Sequence, residues 1–152
     1  METRLYMTAK TEGNTPIVGS GTGDHEGQIP LCGFDHQVSI RADGARGHGK
    51  LIVHKALDGC SPRLTQALCK GEVLPTVQID WYEAGLDGTE KLFFRHTLES
   101  ATIVLIRQRL VEEAQSGASV EELDLRCRKI TWGHMPTNHE ANDIWVEGSA
   151  DQ

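Results

Sequence analysis

Four cysteines are the residues of this chain that offer the widest range of chemistry, namely Cys32, Cys60, Cys69 and Cys127. Their spacing contains no C-x-x-C pair, which zinc ribbons and thioredoxin-like redox sites require. The first residues, METRLYMTAKTEGN, lack the apolar segment of a secretory signal peptide, so we expect reduced thiols. We therefore predict no intrachain disulfide and no catalytic thiol, with Cys69 and Cys127 as candidates for packing in the core.

The histidines and carboxylates are the next candidates for chemistry, and their spacing favours none. The seven histidines are scattered, and there is no H-E-x-x-H pair, so we predict no metal site and no cofactor. Asp80, Glu83 and Glu90 fall on strands or beside a hairpin, where solvated charge is expected. The chain has no G-x-S-x-G nucleophile elbow, and we predict that it is not an enzyme. A convergent Cys–His pair stays open as a third hypothesis, which thiol alkylation tests.

Two glycine-rich segments resemble anion-binding loops, because backbone amides in glycine turns bind phosphate. Neither Gly13–Gly27 nor Asp43–Lys50 contains a Walker or dinucleotide motif between a strand and a helix. We interpret both as contact loops. In the second loop, the glycines suit a permissive excursion and the charges of both signs suit pairing with another subunit. Its predicted contact residues are Asp43, Gly44, Arg46, Gly47, Gly49 and Lys50.

One short helix is predicted near residues 61–70. Ser61 and Pro62 form a typical helix start, with the hydroxyl as a cap and proline at the first helical position. Leu64 and Leu68 give one apolar face. Gly71 follows as a left-handed cap at the carboxyl end. A helix of about ten residues is marginal in water, so it must pack on a larger unit.

That larger unit is predicted to be β-rich, because apolar residues alternate along most of the chain. Leu5, Met7 and Ala9 define the first strand, and the dipeptide Asp87-Gly88 marks a hairpin. The pattern gives about seven strands, which would close into a barrel or sandwich to remove exposed edges. The other predicted strands cover Phe34–Ile40, Leu51–Leu57, Val77–Tyr82, Glu90–Leu98, Ala101–Arg109 and Leu123–Trp132, with a polar connection at Gln115–Ser119.

Length and charge limit the class of protein. A chain of 152 residues is one domain by its size, and its 38% hydrophobic content is too high for disorder. The net charge of −7 argues against nucleic acid as a partner. The longest apolar run, Thr102–Ile106, is too short for a membrane helix.

Several stretches together resemble the haemolysin co-regulated protein (Hcp) family, the tube proteins of type VI secretion systems. The most specific are HKALDGCSPRLTQALCKGEVL at His54–Leu74 and RKITWGH at Arg128–His134. FDHQVSI, VQIDWYEAGLDGTEKLFF, LESATIV and NDIW occur in the family's order. The segment Val111–Glu122 departs from the family pattern.

The resemblance implies a mainly β domain over residues 1–146, a partly closed antiparallel barrel of two packed sheets with one flanking helix, and an acidic tail over 147–152. It also implies a hexameric ring that stacks into a tube and carries effectors. The implied partners are further copies of the chain, a spike protein, a contractile sheath and the effectors. The implied location is the cytoplasm before assembly, then outside the cell without a signal peptide.

The alternative from another class is a small β-barrel that binds an apolar ligand inside. Large interior side chains would exclude such a ligand. The residues predicted to fill the interior are Trp81, Phe93, Phe94, Leu105 and Trp132.

Overall fold

The computed structural model describes residues 2–113 and 116–144. The strands are β1 (Glu2–Ala9), β2 (Ile29–Leu31), β3 (Gly33–Ile40), β4 (Arg46–Lys55), β5 (Leu74–Ala84), β6 (Glu90–Glu113), β7 (Ser116–Arg126), β8 (Lys129–His134) and β9 (His139–Ile144). The one α-helix among the described residues is α1 (Ser61–Cys69), and a short 3-10 turn covers Gly23–His25. The mainly β prediction with a single short helix is confirmed. The predicted tail, 147–152, lies outside the described residues.

All described strand pairs are antiparallel, and they form one nine-stranded sheet in which seven strands follow the order β2-β1-β5-β6-β7-β4-β3. The path nearly meets itself, because β2 and β3 are separated in the chain by Cys32 alone. The Cys32 amide donates to the His54 carbonyl oxygen on β4 at 2.7 Å. The barrel is therefore partly closed, while β8 and β9 extend the sheet beyond β6.

The long strand β6 joins the two arms of the sheet. Its first half pairs with β5, and its second half pairs with β7. The change occurs at Ser100, which has a left-handed φ of 53°. The sequence predicted two strands here, interrupted between Leu98 and Ala101, and the structure makes one bent strand of them.

Along one edge of β6, strands β7 and β8 follow each other in nearly continuous register. Arg126 lies opposite Thr102, and Lys129 lies opposite Glu99. The prediction of one long strand ending near Trp132 was therefore wrong, because the structure has two strands there. β7 ends at Arg126 and β8 begins at Lys129, and the break lies beside Ser100 of β6. The predicted polar connection at Gln115–Ser119 was also too long, because β7 begins at Ser116 and only 114–115 lie outside the described residues.

The core lies between the two arms and under α1. It consists mostly of aliphatic side chains from β1, β2, β4, β5, β6, β7, β8 and the helix. The largest fully buried apolar residues are Met7, Ile29, Leu64, Leu74, Ile79, Leu98, Leu123 and Ile130. Of the five large residues predicted to fill the interior, Trp81 and Trp132 pack against this core, whereas Leu105 is 44% exposed. The interior is thus filled, but mainly by aliphatic residues.

Candidate assembly surfaces

The segment predicted as a long contact loop is the tip of the β3–β4 hairpin. The Arg41 amide donates to the Ala45 carbonyl oxygen at 2.7 Å, so the turn comprises only residues 41–45. Gly44 has φ +86°, a conformation that glycine adopts without strain. Asp43 accepts from the Arg41 guanidinium at 2.8 Å and from the Ala45 amide at 3.0 Å. Both hydrogen bonds lower the pKa of Asp43, and the bond from Arg41 has the larger effect.

The other predicted contact residues of this segment belong to strand β4. Gly47 pairs with Ser39, and Gly49 and Lys50 follow beside a bulge in β3. The backbone of Arg46 pairs with Ile40, and its side chain lies outside what the structure describes. The prediction of a loop to residue 50 was therefore wrong in its second half. The hairpin presents an exposed side chain at Ile40.

Helix α1 begins and ends close to its predicted bounds, but the predicted cap by the Ser61 hydroxyl does not form. The helix starts at Ser61. No side chain caps the helix, and the Asp58 Oδ1 accepts instead from the amide of Cys60, the residue before the helix, at 3.1 Å. Pro62 lies in the first turn, as predicted.

The buried face of the helix carries Leu64, and Leu68 packs partly buried against the core. At the other end Gly71 has φ +61°, and the amides of Gly71 and Glu72 donate to the carbonyls of Leu68 and Ala67. This is a Schellman ending, so the predicted glycine cap is confirmed.

The Ser61 hydroxyl belongs to a buried polar cluster that joins α1 to strands β4, β6 and β7. Lys55 from β4 and Glu121 from β7 are both fully buried, and the Lys55 Nζ lies 2.9 Å from the Glu121 Oε1. The ammonium also donates to Ser61 Oγ and Asp58 Oδ1 at 3.0 Å each. Ser61 donates to Glu121 at 2.9 Å, and Gln108 donates to the second carboxylate oxygen at 2.6 Å. We call these five residues the lysine cluster.

Electrostatics keep both ions of the lysine cluster charged. Burial acts to raise the pKa of Glu121, but hydrogen bonds from Gln108, Lys55 and Ser61 outweigh it, so the pKa is lowered. Burial likewise acts to lower the pKa of Lys55, and its bonds to Glu121 and Asp58 reverse the direction. The cluster therefore fixes the helix start to the sheet through an ion pair inside the protein.

Sequence reasoning missed this cluster, although a signal was present. Lys55 follows Leu51 and Val53 at intervals of two, so the alternation of β4 places it on the buried face. Glu121 precedes Leu123 in the same phase on β7. The two charges also face each other in the strand register.

The first glycine-rich loop is anchored to the sheet by His25. Its ring stacks on Tyr6 with centroids 3.7 Å apart and meets the edge of Tyr82. Its Nε2 lies 2.7 Å from a Glu90 oxygen, and Arg4 donates to the other oxygen at 3.3 Å. We call this group the histidine clamp. The bond from His25, more than that from Arg4, lowers the pKa of Glu90.

The interpretation of Asp80 and Glu90 as solvated charges was wrong. Glu90 is held in the histidine clamp. Asp80 is buried, and Arg95 donates to both of its carboxylate oxygens, at 2.7 and 3.2 Å. A bidentate guanidinium–carboxylate pair on neighbouring strands stabilises the sheet.

A second histidine, His96, lies between aromatic rings at one end of the core. The Trp81 indole donates to its Nδ1 at 3.1 Å, so that nitrogen carries no proton and the ring is neutral. Phe34, Phe94 and His36 lie around it, with centroids between 4.7 and 6.0 Å away. Burial, with a contribution from His36, lowers the pKa of His96 to about 4.

All four cysteines carry free thiols. Cys60 is the buried one, whereas Cys69 is exposed and Cys127 is half-buried, so the expectation of Cys69 in the core was wrong. Burial is the main cause that raises the pKa of Cys60 to about 12, and the hydrogen bond to Asp58 is the second. At this pKa the thiol is not a nucleophile. Within the described residues, no three potential ligands come together to hold a metal ion.

In the part of the chain that the structure describes, no helix has the length and apolar character needed to span a membrane.

Comparison with known proteins places these features in a family. The family model "Type VI secretion system effector, Hcp" matches residues 6–134. The "Major exported protein" of Pseudomonas aeruginosa is 33% identical over 150 residues, which cover 91% of this chain and 84% of the relative.

Solved structures agree with this over almost the whole chain. A crystal structure of an Hcp protein superposes with a TM-score of 0.87 at 23% identity, covering 97% of this chain and all of the other. The secreted protein Hcp3 of Pseudomonas aeruginosa gives a TM-score of 0.79 at 26% identity, covering 96% of this chain and all of Hcp3. The mainly β fold with one helix, the matched sequence over residues 6–134 and the one-third identity lead to one conclusion: this chain belongs to the Hcp family of type VI secretion systems.

Proposed function

We propose that this chain is the tube subunit of a type VI secretion system, forming a hexameric ring that stacks into a hollow, exported tube. The observation that carries the proposal is the family match over residues 6–134. The tube would carry effector proteins, and its other partners would be a spike protein and a contractile sheath. Its role is structural, without catalysis. It would assemble in the cytoplasm and then be exported from the cell.

The architecture is compatible with self-assembly. Strands β3 and β9 each have one neighbour among the described strands, so each offers a backbone edge to another chain. A ring made from one kind of chain needs two different surfaces that meet head to tail and close by rotation. Two separate edges on one protomer meet that requirement.

The filled core argues for this role over the ligand-binding barrel. A barrel that binds an apolar ligand needs an interior cavity, and here aliphatic side chains occupy the centre of the described structure. We therefore propose the tube subunit as the function and do not propose a ligand-binding barrel.

We further propose that the β3–β4 hairpin contacts the next ring through its tip, where Asp43 and Gly44 lie in the turn, whereas Lys50 lies in strand β4. The β4–β7 ladder begins at Leu51, so the outer part of the hairpin can be shortened without removing a β4–β7 pair. Replacing residues 39–47 by Asn-Gly would join Val38 to His48 through a tight turn.

The test compares this shortened variant with the unmodified chain by light scattering, electron microscopy and an export assay. We expect unmodified protein to form rings with a central hole and stacks of rings. The variant should keep the ring mass and lose both stacking and export. A stable monomer at micromolar concentration would contradict the ring, and a shortened variant that stacks and is exported normally would contradict the role of the hairpin.

A further inference from the structure

The buried ring of His96 is covered by side chains from three strands besides its own. In the register of the sheet it lies opposite Ile79 of β5 on one side and Trp132 of β8 on the other. From β3, Phe34 and His36 lie against it, with ring centroids 4.7 and 6.0 Å away. We use the name aromatic layer for six side chains, those of Phe34, His36, Trp81, Phe94, His96 and Trp132.

No counter-ion faces His96 from the described residues of β5 and β6. The charged neighbours on these strands are Asp80 and Arg95, which alternate with the residues of the aromatic layer and therefore lie on the other face of the sheet. There they pair with each other at 2.7 Å. A proton on His96 would thus add a charge that Asp80 does not neutralise.

The charged groups of β3 and β8 are also directed elsewhere. On β3, Asp35 is exposed and alternates with the two residues that cover His96. On β8, the ring of His134 contacts Phe94, with centroids 6.5 Å apart. Among the described residues, His36 is therefore the ionisable group that acts on His96, and a second histidine can only oppose its protonation.

The hydrogen bond from Trp81 fixes which form of His96 fits the aromatic layer. The Trp81 indole donates to the His96 Nδ1 at 3.1 Å, and only a nitrogen without a proton can accept it. Protonation makes this nitrogen a donor that faces another donor, so the bond is lost. The same proton places an unpaired charge among aromatic rings, where it is poorly solvated. The layer is therefore closed around the neutral ring alone.

Strand β3 is the part of the aromatic layer that is held most weakly. Among the described strands it pairs with β4 alone, and most of its residues are exposed. Phe34 and His36 join it to the opposite arm of the sheet, and both lie against His96. Its neighbour β4 is fixed to β7 and α1 by the lysine cluster. There hydrogen bonds outweigh burial and lower the pKa of Glu121, so that the ion pair stays charged in moderate acid.

We propose that the aromatic layer is an acid-operated latch on β3, in which protonation of His96 releases β3 while the rest of the sheet stays folded. The latch lies within one chain and needs no second copy. Its consequence for assembly rests on the proposed function, because β3 carries a backbone edge and the β3–β4 hairpin, both of which are proposed contacts. Acid should therefore loosen the assembly through this strand.

Amide hydrogen exchange, followed by mass spectrometry on the full chain, tests the latch. Burial first, and His36 second, lower the pKa of His96 to about 4 in the folded chain, against 6.5 for an exposed histidine. By linkage, release of β3 should be about 50-fold more favourable at pH 4.5 than at pH 7. We expect the protection of residues 33–40, corrected for the intrinsic exchange rate, to fall by that factor. The protection of β5 and β7 should change by less than about threefold.

The variant His96→Gln removes the titrating ring and keeps an acceptor for the Trp81 indole. In this variant the protection of β3 should differ by less than about threefold between the two pH values. His139→Gln is the matched control, because His139 is an exposed histidine on β9. Its β3 should open in acid like that of the unmodified chain.

A pH series on the unmodified chain decides the matter if His96→Gln does not fold. Because opening takes up one proton, the protection of β3 should fall about sevenfold from pH 6 to pH 5. Protection that does not change over this interval would overturn the latch.

The outcomes separate the latch from the proposed function. The latch is wrong if β3 stays protected at pH 4.5, or if β5 and β7 lose as much protection as β3, since that is global unfolding. It is also wrong if β3 of His96→Gln still opens in acid, or if β3 of His139→Gln stays closed. Light scattering of the unmodified chain at pH 7 tests the ring by itself. A monomer there would contradict the proposed function, and the exchange experiment would still decide the latch.

Discussion

The lysine cluster and the histidine clamp each hold a carboxylate with a cationic side chain, but water reaches them differently. Lys55 and Glu121 are fully buried, whereas 16% of the Glu90 side chain and 43% of the Arg4 side chain are exposed. An ion that loses its partner inside a protein stays desolvated, whereas one at the surface is solvated again. Similar pairs should therefore differ several-fold in their effect on stability.

The largest effect should come from breaking the buried pair. Lys55→Ala leaves Glu121 charged and buried, so we expect a loss of about 3–5 kcal/mol in the free energy of unfolding, measured with urea. The double variant Lys55→Met, Glu121→Leu removes both charges and should recover most of that loss. If Lys55→Ala unfolds at nearly the same urea concentration as the unmodified chain, the cluster is not the constraint described.

His96 sharpens the comparison, because it is buried without a carboxylate in contact among the described residues. Its pKa of about 4 in the folded protein lies below the 6.5 of an exposed histidine, so the unfolded chain binds more protons between these values. The stabilising contribution is complete above pH 6.5 and is lost as the pH falls towards 4, by about 3 kcal/mol.

The variant His96→Gln isolates this effect, since glutamine can accept from the Trp81 indole without titrating in this range. Urea unfolding at pH 7 and pH 4.5 should show a smaller loss of stability for the variant than for the unmodified chain. Equal losses would mean that His96 does not contribute to acid sensitivity.

The histidine clamp should give a smaller effect. Glu90→Gln removes the charge and keeps the shape, so we expect a loss of about 1–2 kcal/mol, because a hydrogen bond to a charged group at a partly exposed site is replaced by a neutral one. Thermal unfolding in low and high salt measures it, and the difference between the two proteins should shrink with salt. A loss as large as that of Lys55→Ala would remove the contrast between the two clusters.

The smallest effect concerns the backbone alone and gives a scale for the others. Gly71→Ala forces alanine into φ +61°, which should cost about 1 kcal/mol. Gly59→Ala is the matched control, because an added Cβ there meets no atom within 4 Å, and we expect a change below about 0.5 kcal/mol. Urea unfolding of both variants checks the difference.

Much of the fold could be predicted from local sequence signals. Alternation identified β1, and the Asp87-Gly88 dipeptide marked the hairpin that begins β6. The Ser61-Pro62 start and the Gly71 ending gave the bounds of α1 within one residue. These features depend on neighbouring residues, so one chain is enough to see them.

Features that depend on distant residues were missed. The Ser61 hydroxyl looks like a helix cap in the sequence, but it donates its hydrogen bond to Glu121, sixty residues away. From the sequence alone Asp80 looks solvated, and only the pairing of β5 with β6 brings Arg95 beside it. The hairpin tip was drawn too long because glycines at 47 and 49 look like loop residues, although both lie in β4. Pairing across the sheet decides each of these cases.

The central claim is that this chain assembles with copies of itself into a closed ring. Light scattering on purified protein at micromolar concentration, coupled to size-exclusion chromatography, tests it most directly. With a chain mass of 16.7 kDa, a hexamer should elute as one species of about 100 kDa and show a central hole in electron micrographs. A single species with the mass of one chain, unchanged on concentration, would contradict the account.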